Sequence, residues 1–201
     1  ISAFEGMNLL IITNENNLLI NSAKWGIIPS WAVNKPDFNS NNTLNAKIES
    51  IFEKPSFKDI AVNQRALIIT DGFFEWQLKN KQKIPWKIKS KNSEFTSLAG
   101  IFNKNSNTGN LEFSIITVPA VGIMSEIHNS KLRMPLILHG ELESLWIGNQ
   151  FNTKGVIDII NSSPPQELDA IQISTDFFRK SDGVNQKLKK SNQEITQFNL
   201  F

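Results

Sequence analysis

The chain has 201 residues, 21 Lys and Arg against 19 Asp and Glu, a formal charge of only +2, and no cysteine or tyrosine. Such a length is enough for one domain, 1–201, to bury a continuous core, and the near balance of charge confines any nucleic-acid surface to a local patch. The absence of thiols excludes disulfides, thiolate metal sites and a cysteine nucleophile within these residues.

No apolar run approaches the roughly 20 residues that span a bilayer, and no signal-peptide pattern opens the chain. The expectation is a cytoplasmic protein, monomeric and without a membrane partner. Read in chain order, Leu9–Thr13 and Leu18–Trp25 are strand-like runs. Ala46–Phe52 and Ser56–Val62 then show helix-compatible apolar spacing, with Pro55 as a break between them. Further strand-like runs follow at Ala66–Thr70, Phe73–Gln77, Pro85–Lys89, Phe95–Ile101, Phe113–Val118 and Leu136–Leu138. Glu141–Ile147 and Thr153–Ile160 read as helices, and Ile171–Thr175 as a last strand. Asn39–Asn42 and Asn103–Asn107 read as loops. Many short strands mixed irregularly with helices predict an α+β fold with a strongly curved, barrel-like, mostly antiparallel sheet flanked by short helices. Strands and helices do not alternate as in a doubly wound fold, and no glycine-rich phosphate loop is present.

The most informative stretch is Asp71-Gly72-Phe73-Phe74-Glu75-Trp76. Asp71-Gly72 reads as a tight turn joining two strands. Strand alternation then sets Phe74 and Trp76 on the face opposite Phe73, Glu75 and Gln77. An acid among such aromatics loses water, which raises its pKa toward the range useful for proton transfer. The competing reading is a half-buried strand acid paired to an Arg or to backbone. The two imidazoles, His128 and His139, match no metal-ligand spacing, and neither a metal nor another cofactor is expected.

Four segments in order carry a family resemblance. They are Trp25-Gly26-Ile27-Ile28-Pro29-Ser30-Trp31; Asn45-Ala46-Lys47-Ile48-Glu49 leading to Glu53-Lys54-Pro55-Ser56-Phe57; Arg65 through Trp76; and Ile127-His128 to Arg133-Met134-Pro135-Leu136-Ile137-Leu138. Together they resemble the SRAP family, the SOS-response-associated peptidases or abasic-site processing proteins. Val184-Asn185, following Ser174-Thr175, fits the family's C-terminal region.

The resemblance implies a DNA-repair role, with single-stranded and abasic-site DNA as partners. In the family, a cysteine exposed by removal of the initiator Met presents an α-amine and a thiol to the abasic-site aldehyde. The amine forms a Schiff base, and the thiol closes a thiazolidine on the same carbon. An α-amine pKa of about 7.7–8.0 leaves some neutral nucleophile, whereas a lysine near about 10.4 is mostly protonated. Carried over, Glu75 matches the proton-shuttling acid, His128 the histidine that assists sugar opening, and Asn45 the asparagine that positions the N-terminus and the sugar. Trp25 and Trp31 offer base-stacking surface, although at least one of them is expected in the core. Lys47, Arg65 and Arg133 are expected phosphate contacts, and Thr117 a site-lining hydroxyl.

Three departures stand out. Lys47 occupies the usual position of an Arg, giving a point charge without a bidentate fork. The interval from His128 to Arg133 is longer than in many members. The nucleophilic cysteine is absent, and with Ile1 leading the chain the expectation is a domain that lacks its N-terminal segment and does not itself crosslink. A non-catalytic single-strand-binding module is one rival, and a peptidase acting only on its own N-terminal Met another. Arg179, Lys180, Lys187, Lys189 and Lys190 form a basic cluster, read as solvated surface or as a DNA-backbone contact.

Overall fold

The strand periods sort into two sheets. A computed structural model describes residues 8–148, 151–163 and 167–174, so the C-terminal basic cluster and Val184-Asn185 lie outside the described residues. The larger sheet has eight strands: β1 (Asn8–Thr13), β2 (Asn16–Trp25), β3 (Asn45–Lys47), β4 (Arg65–Thr70), β7 (Thr96–Lys104), β8 (Leu111–Pro119), β9 (Arg133–Pro135) and β10 (Ile137–Leu138). The smaller sheet holds β5 (Phe73–Lys79), β6 (Gln82–Ser90) and β11 (Leu168–Gln172), with β6 central. Among the described residues three α-helices accompany them: α1 (Ile123–Ile127), α2 (Glu141–Trp146) and α3 (Thr153–Ser162). In the larger sheet the pairings close a ring from β7 through β4, β1, β2 and β8 back to β7. Only the short β2–β8 and β3–β8 ladders are parallel. The α+β class and the curved, mostly antiparallel sheet are as the sequence predicts.

Strand β4 shows why the sheet is buried on both faces. Its apolar run does not alternate with polar residues, and successive side chains enter different cores. Ala66 and Ile68 join Ile11, Leu98, Phe113 and Ile115 on one face. Leu67 and Ile69 join Ile12, Ala99, Ile116 and Trp146 on the other. The first core is closed by the smaller sheet through Phe73, Trp86, Ile88, Leu168 and Ala170. The second is closed by α2 and α3 through Trp146, Val156, Ile159 and Ile160. Because the two sheets share no ladder, apolar burial holds them together, at about 1.5–3 kcal/mol for each fully buried Ile or Phe.

Asp71-Gly72 is not a hairpin turn. It is a corner between sheets, since β4 pairs with β1 and β7 while β5 pairs with β6. Gly72 has φ +132°, and a Cβ there would stand 2.4 Å from the carbonyl oxygen of Ile88. The hairpin lies further on, at Asn80-Lys81, where φ values of 50° and 63° match a type I′ turn between Lys79 and Gln82.

Other expectations need correction. Ala46–Phe52 is not a helix, because Asn45–Lys47 pairs with β8 and only Ile48–Ser50 winds into a 3-10 turn. Ser56–Val62 forms successive turns, with Ala61 N–H donating to Phe57 O and Gln64 N–H to Ile60 O, without a continuous helix. The short helix α1 gives no five-residue period that reading by pattern detects.

Arg65 was expected on phosphate, but it is 1% exposed and belongs to the core. Its Nε donates to Trp146 O at 2.8 Å, one terminal nitrogen to Gly148 O at 2.6 Å, and the other to Val62 O. The guanidinium stacks over Trp146 and Phe151. A fork of five donors satisfies helix-end and loop carbonyls that burial would otherwise leave unpaired. Arg65→Ala is therefore expected to lower unfolding free energy by about 3 kcal/mol or more, read as a drop in the urea midpoint.

Candidate functional site

The alternation predicted for β5 is observed. Glu75 lies directly across from Trp86 of β6, and its neighbours Phe73 and Trp86 pack against the first core. Trp76, on the opposite face, is exposed. The outer edge of β5 is not left open. Asn129 supplies both halves of a peptide group in side-chain form: its Oδ1 accepts from Leu78 N–H at 3.0 Å and its Nδ2 donates to Leu78 O at 2.9 Å. Gln77 Nε2 donates to Glu126 O at 3.1 Å. These bonds dock the end of α1 on the strand that carries Glu75.

Docking brings in His128, the residue that ends α1. Its Nδ1 is 2.6 Å from the carbonyl oxygen of Arg133 and 3.6 Å from Glu75 Oε1. A carbonyl only accepts, so Nδ1 carries the proton and Nε2 is the nitrogen left for chemistry. The five-residue interval from His128 to Arg133 is thus bridged by the ring itself. Leu132 N–H also donates to His128 O at 2.9 Å. Both acid and base are largely buried, with side-chain exposures of 22% for Glu75 and 17% for His128. Burial raises the Glu75 pKa above the usual carboxylate value, against the opposing pull of His128, the Trp76 backbone hydrogen bond and Lys131.

Arg133 extends the network to β8 and β3. Its NH1 pairs with Glu49 Oε1, and its NH2 donates to Thr117 O and, at 3.3 Å, to Thr117 Oγ1. The pairing with Arg133 lowers the Glu49 pKa. The expected phosphate contact at Arg133 is therefore a guanidinium already engaged within the protein. Thr117 stands between Lys47 of β3 and Pro135 of β9 in the ladder. Asn45, two positions earlier on β3, is exposed on the same side of that strand as Lys47, while Ala46 between them is buried. Glu75 and His128 thus lie within 3.6 Å and Thr117 is joined to them through Arg133, whereas Lys47 only pairs with Thr117 in the ladder and Asn45 lies two positions further along β3.

The two tryptophans separate. Trp25 stacks on Phe113 with centroids 6.0 Å apart and donates its N–H to Leu44 O at 2.8 Å. It is partly buried against the first core, with its ring on Phe113 and its N–H committed to an internal carbonyl. Trp31 is 47% exposed, edge-on to Phe38 at 5.5 Å, with Lys35 Nζ 4.8 Å from its ring centre. A cavity of about 340 Å³ lies elsewhere, lined by residues including Ser90, Phe95, His139 and Glu143, and contains none of the expected site residues. Sequence reading missed Gln77, Glu49 and Asn129 as site supports. Only the position of Asn129 next to His128 hinted at it, because its partner is backbone from a strand 51 residues away.

Comparison with known proteins places the chain in a family. Residues 3–179 match the family model described as SOS response associated peptidase (SRAP). The chain is 35% identical to the abasic site processing protein YoqW of Bacillus subtilis, across 84% of this chain and 75% of that protein. It is 29% identical to the abasic site processing protein HMCES of Xenopus tropicalis, across 69% of this chain and 48% of that one. A crystal structure of a Bacteroides thetaiotaomicron protein superposes with a TM-score of 0.79 at 31% identity, covering 89% of this chain and 79% of that one. The fold, the four ordered segments and the match over most of its length show that this chain belongs to the SRAP family.

Proposed function

We propose that the chain recognises abasic sites in single-stranded DNA and that the Glu75–His128 pair moves protons on the abasic sugar. The observation that carries this reading is the pair itself: a desolvated carboxyl beside an imidazole whose Nδ1 is committed to a carbonyl. Opening the cyclic hemiacetal requires a proton to leave the anomeric hydroxyl and another to reach the ring oxygen. His128 Nε2 suits the first transfer, and a carboxyl with a raised pKa suits the second. Asn45 orients the sugar, Lys47 holds a flanking phosphate, and Trp31 with Lys35 stacks an unpaired base. Processing then continues by covalent capture in a form that presents an N-terminal cysteine. Amine and aldehyde lose one water to give the Schiff base, and the thiol adds across the C=N bond to close the ring. The 201 residues contain no cysteine, so what they supply to the reaction is recognition and proton transfer.

Two measurements test these roles. By fluorescence anisotropy, single-stranded DNA with a central tetrahydrofuran abasic analogue should bind about tenfold tighter than the same sequence as an intact duplex, a difference of about 1.4 kcal/mol. Trp31→Ala should cost about 1–3 kcal/mol, and Lys47→Ala should flatten the dependence of log K on log salt by about 0.7. Equal binding of both DNAs overturns the recognition role.

The second measurement concerns Glu75. Its native pKa lies above its unfolded one, so the stability it contributes is full below the unfolded carboxylate pKa and is lost as pH rises through the native value. Glu75→Gln removes that loss. Between pH 4 and pH 8 the urea midpoint of the wild type should fall relative to that of Glu75→Gln, and a constant difference would show that the acid is not held in its neutral form.

A further inference from the structure

Arg133 is held in place at more points than a three-residue strand requires. The residue before it, Leu132, has φ 52°, a left-handed conformation that costs a non-glycine residue about 1–2 kcal/mol. Strand β9 pairs with β8 through Arg133, Met134 and Pro135, and Leu132 is bonded through its backbone to Ala120 and His128. The side chain provides the rest. One terminal nitrogen reaches Glu49, just past β3, and the other reaches Thr117 of β8, while Nε stays buried without a hydrogen-bond partner among the described residues. The main-chain carbonyl of this same Arg133 is the acceptor that holds His128 Nδ1.

We propose that Glu49 is a positioning residue: its carboxylate anchors the Arg133 guanidinium, so that the Arg133 carbonyl keeps His128 in the Nδ1–H tautomer with Nε2 turned to the substrate. The inference deepens the proposed function, because it rests on His128 acting on the sugar. Glu49 never touches the reacting atoms. It sets which imidazole nitrogen is available, as an outer partner does for a metal-bound or catalytic histidine. It also links the Asn45–Lys47 strand to His128, so both walls of the site move as one body. With Glu49 half-exposed, at 51%, and Arg133 mostly covered, at 16%, the carboxylate can be removed without opening the core.

The test uses the chain as it stands, without DNA. Ring-nitrogen NMR of 15N-labelled protein reports the tautomer directly, and only two histidines need assignment, which His139→Gln accomplishes. Wild type should show His128 as a single Nδ1–H form. Glu49→Ala should lose that single form and populate Nε2–H, and Arg133→Met, which keeps the carbonyl but removes the fork, should do the same. Glu49→Gln retains an acceptor and should restore the wild-type spectrum, which a general loss of packing would not allow. An unchanged tautomer in both Glu49→Ala and Arg133→Met overturns the proposal. So does a Glu49→Ala protein with the wild-type tautomer and severalfold tighter single-strand binding, which would make Glu49 a stand-in for phosphate on Arg133. Failure of the DNA-recognition reading appears separately, as indifference to the abasic analogue, and leaves the tautomer result standing.

Discussion

The hydrogen bond from the His128 ring to the Arg133 carbonyl is the constraint around which the site is organised. It closes a loop that a left-handed Leu132 would otherwise leave under tension. It also removes one of the two imidazole nitrogens from the chemistry. Glu75 stands close enough to feel the ring's charge yet is dominated by its own burial. Burial against the aromatic wall of β5 raises the proton affinity of the carboxyl, while the carbonyl behind the imidazole fixes which ring nitrogen carries the proton.

That arrangement depends in turn on a scaffold made rigid from both sides. A sheet with apolar side chains on each face cannot slide without exposing one core or the other. Arg65 reinforces this by tying the start of β4 to the end of α2 and the loop after it. What looks in sequence like a basic contact for DNA is an internal strut. A buried guanidinium suits that task because its donors radiate in one plane toward several carbonyls at once. Lysines such as Lys35, over the Trp31 ring, and Lys47, on β3, keep their charge at the surface instead.

The strands were legible because alternation and β-branched runs are local properties. The apolar runs of β4, β7 and β8 lie in the core, although Leu18, Leu19 and Ile20 of β2 stay exposed, and the orientation of Glu75 follows from counting by twos along β5. Two local signals misled. Ala46–Phe52 carries helix-compatible spacing, but β8 captured its start as a strand, a tertiary choice that no short window contains. Asp71-Gly72 carries hairpin chemistry, but the strands on either side found partners in different sheets. Glu75 and His128, whose side chains meet, stand in segments that the sequence singles out. The supporting contacts of Asn129, Gln77 and Glu49 are not legible there, since their partners are backbone groups or a guanidinium brought close only by folding. Arg65 is misplaced for a related reason: residue type alone does not say whether a polar tip meets a solvated ligand or an internal carbonyl.

The Asn80-Lys81 turn has an effect well beyond its own two residues. It determines which residue of β5 stands across from Trp86. Lengthening or shortening the turn by one residue would shift the phase of the strand, so that the indole of Trp76 entered the place of the carboxyl and the carboxyl faced solvent. Which side chain faces Trp86 is therefore indexed by a bend outside the site, and a single-codon insertion there would turn the buried carboxyl outward while leaving each side chain intact.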